Sequence, residues 1–152
     1  MKKGCDFWTS ENISTFLITY WLIYSLFYLM AIFLTMFIKN PFAFLIIGFI
    51  PCPLIWIYRA IHNPYYNLEE CIKTYDMEFY ESFLDRLTSI KHPQKRTAFL
   101  VLELINSYKK IKDQKIITFA KNIRRVNQTG TIGFSIWFLT FMFFVFFMFA
   151  IR

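Results

Sequence analysis

Residues 130–151, GTIGFSIWFLTFMFFVFFMFAI, contain no charged side chain, and the nearest charges are Arg125 before them and Arg152 after them. An α-helix needs about 20 apolar residues to cross a hydrocarbon core of about 30 Å, and this run is long enough. Its aromatic and aliphatic residues go all the way round the helix, without the polar stripe that a helix of a small soluble protein turns to water. The stretch therefore reads as a transmembrane span, and the rest of the chain is interpreted around it.

Composition agrees with a lipid environment. The 152 residues are 57% hydrophobic and 22% aromatic, with 20 Phe and a mean hydropathy of +0.40, above the usual soluble proportions. Residues 12–38 form a second uncharged run. It is too long and too aromatic for the apolar core of a cleavable signal peptide, and no small-x-small site follows it, so it is expected to stay as an anchor. The preceding MKKGCDFWTSE reads as a short lead-in carrying Lys2 and Lys3.

Lys39, Asn40 and Pro41 form a minimal turn, with proline suited to the first position of the next helix. The next span, about Phe42–Tyr58, is short and interrupted by Pro51 and Pro53. Each proline removes a backbone donor and bends the helix. Carbonyls released in lipid must find partners, so this segment is expected to pack inside a bundle.

Between the second and third runs lies a polar, basic insert, residues 60–128. Thirteen of the seventeen Lys and Arg fall between Arg59 and Arg125, against eight acids, a surplus of five. Leu68, Ile72, Tyr75, Phe79, Phe83, Leu87 and Ile90 recur at threes and fours, predicting one amphipathic helix that Pro93 ends. Asn67 with Glu70 three residues later reads as its cap. A second helical pattern starts near Gln94, is interrupted at KKIKDQK, and resumes from Ile116. Two such helices are expected to bury too little to stand alone.

The sequence thus predicts an all-α integral membrane protein with three transmembrane helices and a cytoplasmic helical insert. Its divisions are 1–59 (lead and transmembrane hairpin, spans about 13–38 and 42–58), 60–128 (insert) and 129–152 (third span). Two crossings put the N-terminus and the insert on one side, and the positive-inside rule makes that side cytoplasmic, with the C-terminus opposite. The setting that fits is a bacterial inner membrane.

Chemistry-bearing groups are sparse. All ten Asp and Glu and both His lie outside the three apolar runs, whereas relays and pumps keep ionisable groups at membrane depth. No phosphate loop, nucleophile elbow or zinc motif is present, so no catalytic residue, cofactor or metal is expected. The three cysteines, Cys5, Cys52 and Cys71, show no paired spacing and read as unpaired thiols in a reducing compartment. Pro51-Cys52-Pro53 reads as a helix break.

Two clusters remain as candidates for contact. Tyr20, Tyr24 and Tyr28 lie at steps of four on one face of the first span and, with Pro51 and Pro53, are expected to serve helix packing. Lys109, Lys110, Lys112, Lys115, Lys121, Arg124 and Arg125 precede the third span and suit anionic inner-leaflet lipids or an acidic partner protein. Nucleic acid is not expected, because stacking aromatics are not interleaved with these charges. The expected function is non-catalytic: protein–protein interaction as a homo-oligomer or a subunit of a membrane complex, of the complex-subunit, immunity, exclusion or phage-defence type. The alternative is a channel or membrane-permeabilising effector built by oligomerisation, with the tyrosine face lining a path.

Overall fold

A computed structural model describes Trp8 and residues 12–65, 68–107 and 111–150. These residues are helical, without strands, and fall into eight helices: α1 (Asn12–Ile38), α2 (Pro41–Phe49), α3 (Leu54–Ile61), α4 (Leu68–Tyr75), α5 (Met77–Glu81), α6 (Leu84–Thr88), α7 (Pro93–Ser107) and α8 (Gln114–Ala150). Three stretches are long and apolar enough to span a membrane: Ile13–Ile38, Pro41–Ile61 and Gln114–Ala150. The chain divides into two compact units. Met1–Ile13 with Ile61–Arg125 form unit 1, and Ser14–Ala60 with Val126–Arg152 form unit 2. Trp8 falls in unit 1 with the insert.

Unit 2 is built on close helix approach. The α1 helix stops at Lys39, whose φ of 55° is the left-handed turn that ends a helix. Asn40 Oδ1 then accepts from the Phe42 amide at 3.0 Å, and Pro41 occupies the first turn of α2. The break after α2 is made by residues 50–53. Its amides and carbonyls pair within the turn, Cys52 N to Phe49 O at 2.9 Å and Leu54 N to Pro51 O at 3.2 Å, so the two prolines leave few orphaned groups. Small residues let the backbones meet: a Cβ at Gly133 would lie 2.7 Å from Tyr20 Oη, and one at Gly130 would lie 3.1 Å from Ile55 Cγ2. Aromatic rings fill the remaining space, with Phe16 stacked on Tyr58 at 3.5 Å and Phe44 against Phe144 at 5.3 Å.

Unit 1 corrects one expectation. The single helix expected over Leu68–Ile90 is three short ones, because Asp76 and Phe83 take up non-helical backbone angles at the junctions. The periodic apolar residues still point inward: Leu68, Ile72, Phe79, Phe83 and Leu87 are buried. The insert has a core of its own, because Leu100 and Leu104 of α7, Ile116, Phe119 and Ile123 of α8, and Trp8 of the N-terminal lead are buried with that stripe. Trp8 is held at two points. Its Nε1 donates to the His62 carbonyl at 2.7 Å, and its own carbonyl accepts from Asn122 Nδ2 at 2.6 Å. The expected cap at Asn67 lies outside the described residues.

The charged patch around Asp113 separates α7 from α8, which settles these as two helices. The second of them does not stop before the third apolar run: α8 continues for 37 residues, about 55 Å at 1.5 Å per residue.

Candidate functional site

The two clusters singled out from sequence have different surroundings. In unit 2, Tyr24 Oη donates to the Gly133 carbonyl at 2.7 Å, and the Tyr28 hydroxyl pairs with Thr140 Oγ1 at 2.6 Å. Tyr20 is buried, its hydroxyl against Gly133 and without a hydrogen-bond partner among the described residues. The face at steps of four on α1 is thus an internal seam to the C-terminal part of α8, extended by the buried Ala31 and Thr35. Pro51 is buried in the turn between α2 and α3, and Pro53 is half-buried there.

The opposite face of α1 carries Leu22, Leu26, Leu29, Phe33 and Phe37, which are 65–77% exposed. On α8, Leu139, Phe143, Phe146 and Phe149 are likewise exposed. Unit 2 therefore keeps hydroxyls inside and large apolar side chains outside, the reverse of a water-soluble fold.

In unit 1 three acids, Asp76, Glu69 and Glu103, link separate helices. Asp76 is buried: Oδ1 accepts from the Phe79 amide at 3.0 Å, capping α5, and Oδ2 accepts from the amides of Lys112 and Asp113 at 2.8 and 3.2 Å. Burial pushes its pKa up, but these three amides outweigh burial and hold the carboxyl below its ordinary value. Glu69 Oε1 receives Tyr80 Oη at 2.8 Å, Arg96 Nη2 at 3.0 Å and Lys73 Nζ at 3.1 Å. Burial again opposes ionisation, and the Tyr80 and Lys73 hydrogen bonds with the Arg96 charge prevail, lowering its pKa. Glu103 lies 3.5 Å from Arg86.

The seven basic residues have different surroundings. Lys109 and Lys110 lie outside the described residues. Lys112 Nζ meets Glu78 Oε2 at 2.6 Å, both side chains largely exposed, and this hydrogen bond raises the lysine's pKa. Lys115 Nζ sits 4.6 Å from the centre of the Tyr75 ring, a cation–π contact. Lys121, Arg124 and Arg125 are exposed and make no ion pair with a described residue. The same holds for Lys91 and Lys95 on the other side of the unit's sequence.

Cysteine pairing departs from expectation. Cys52 is a buried free thiol, but Cys71 of α4 is disulfide-bonded. Spacing rules detect cysteines that are neighbours in sequence, and a bond closed by the fold escapes them. Sequence reasoning also missed Asp76, Glu69 and Trp8. Trp8, a large aromatic inside a short polar lead, was the one visible signal; the partners of Asp76 lie 36 and 37 residues away. Among the described residues no three His, Cys, Asp or Glu are grouped as a metal site. Comparison with known protein families, curated proteins and solved structures gives no match.

Proposed function

We propose that this is an integral membrane protein acting by protein–protein interaction, as a homo-oligomer or a subunit of a membrane assembly. One observation carries the reading: the chain is divided into a unit whose outside is apolar and a unit whose outside is charged. The first suits lipid and the second suits water, so the protein anchors a folded basic unit beside a membrane. Two buried or half-buried acids of that unit are engaged within it, Asp76 on three backbone amides and Glu69 on three side chains. These are structural duties rather than those of a titrating site.

The test is size and company. Purified in mild detergent and crosslinked, the protein should migrate as an oligomer or retain a second membrane protein; a lone monomer that captures nothing overturns the proposal. The pore alternative draws no support from the tyrosine face, whose Tyr24 and Tyr28 hydroxyls are paired within one chain.

The side of the membrane has two readings, each with its observation. Fifteen Lys and Arg lie in the N-terminal lead and the Arg59–Arg125 region, against Lys39 and Arg152 on the other side of the same topology. That asymmetry favours a cytoplasmic unit 1. The Cys71 disulfide favours the opposite face, since disulfides persist in oxidising compartments. A Cys52→Ser variant in sealed cells distinguishes them. Labelling by a membrane-impermeant maleimide after external reduction places unit 1 outside, whereas labelling only after permeabilisation places it in the cytoplasm.

A further inference from the structure

We infer that Lys121, Arg124 and Arg125 form a binding site for the phosphate headgroups of anionic phospholipids. The inference rests on the reading that α8 crosses the membrane, and it selects three of the seven basic residues that precede the third span.

Residues 121, 124 and 125 are spaced by three and four, so they share one face of α8. That face cannot turn away. Ile116, Phe119, Ala120, Ile123 and Val126 on the other side of the helix are buried, which locks its rotation and leaves the three cations exposed. No described carboxylate pairs with them. In the same unit Lys73, Arg86, Arg96 and Lys112 each face a carboxylate, but no Asp or Glu occurs anywhere after Asp113.

Depth identifies the ligand. A helix of 37 residues is about 55 Å long, and a hydrocarbon core of about 30 Å leaves roughly 25 Å of it outside. With the uncharged run starting at Gly130, Arg125 stands about 7 Å and Lys121 about 13 Å from the edge of the core along the helix. The polar headgroup layer is roughly 5–7 Å thick on each side, so Arg125 lies at its outer edge and Arg124 and Lys121 can reach down to it along their apolar stems. The two guanidinium groups suit phosphate oxygens bidentately, and the lysine adds a point charge. An acidic protein would have to enter the headgroup layer to meet the same residues.

The experiment uses the full chain in mild detergent, titrated with phosphatidylglycerol or phosphatidylcholine and read by native mass spectrometry as lipid bound per protein. At about fivefold per cation, three cations predict a preference for phosphatidylglycerol of about a hundredfold, weakening with salt. Lys121→Gln with Arg124→Gln and Arg125→Gln should abolish the preference, and Lys91→Gln with Lys95→Gln should leave it intact. Should the triple variant fail to fold, Lys121→Gln alone should lose about fivefold. Equal binding of the two lipids, or a preference that survives the triple change, overturns the inference. So does displacement of the lipid by glycerol phosphate or by an acidic peptide at matched concentration, which would make the site one for soluble anions or for protein. A chain that stays in water without detergent defeats the membrane reading itself, whereas an inserted chain indifferent to phosphatidylglycerol defeats only this site.

Discussion

Units 1 and 2 solve the same problem, satisfying polar groups inside a helical fold, with different chemistry. Unit 1 uses full charges: a buried carboxylate on three amides, and Glu69 shared by a tyrosine, a lysine and an arginine. Unit 2 uses hydroxyls and glycines, with Tyr24 on a backbone carbonyl and Tyr28 on a threonine. On the membrane reading proposed above, the difference follows from what each meets on its outer surface. A unit facing water obtains its driving force from burying apolar residues and can solvate the charges that remain. A unit facing lipid gains little from that effect and depends on close packing and short polar contacts.

The comparison can be broken most forcefully at Asp76. Asp76→Ala removes a helix cap worth about 1 kcal/mol and leaves two further amides without their charged acceptor, so unit 1 should lose about 3 kcal/mol. Hydrogen exchange over residues 68–125 should accelerate while the apolar helices stay protected; protection lost equally in both units would show that they do not differ in this way. The carboxyl's lowered pKa fixes the pH dependence. A group titrating lower when folded contributes fully above its unfolded value of about 3.9, and the contribution is lost as pH falls through that value toward the folded one. Unit 1 should therefore loosen under acid, and Asp76→Asn should flatten that dependence.

Next in size is Gly133→Leu in unit 2. Even its first carbon would stand 2.7 Å from Tyr20 Oη, and overpacking of this kind costs about 1–3 kcal/mol. Detergent unfolding followed by tyrosine fluorescence should shift accordingly, with the hydrogen exchange of unit 1 unchanged. Glu69→Gln should cost unit 1 about 1 kcal/mol, because its partners remain partly solvated; a loss as large as that of Asp76→Ala would mean that the ion pairs, not the capping carboxylate, hold the unit. The smallest effect is Tyr24→Phe, about 0.6 kcal/mol, the average of a single interhelical hydrogen bond in lipid.

Much of this organisation was legible in the residues. The uncharged runs mark the apolar helices, Asn40-Pro41 marks the start of α2, and Pro51 and Pro53 mark the break between α2 and α3. The apolar stripe from Leu68 to Leu87 identified the inward face even though the helix carrying it is cut in three. Periodicity reports which side of the chain is buried, and it persists when an acid at position 76 finds better partners off the helix than in it.

The candidate contact surface was legible only in part. Seven cations ahead of the third span look equivalent as a string, yet Lys112 is engaged by Glu78 and Lys115 by the Tyr75 ring, while Lys121, Arg124 and Arg125 are exposed. The sequence by itself determined where apolar helices lie and where charge accumulates, because hydropathy and net charge are sums over residues and need no partner. Only the tertiary structure decided that Trp8 belongs to the insert, that Asp76 clamps residues 112 and 113, that Cys71 is disulfide-bonded and which cations meet a described carboxylate. Each of these is a pairing between positions far apart in the chain, and such pairings exist only once the fold has brought them together.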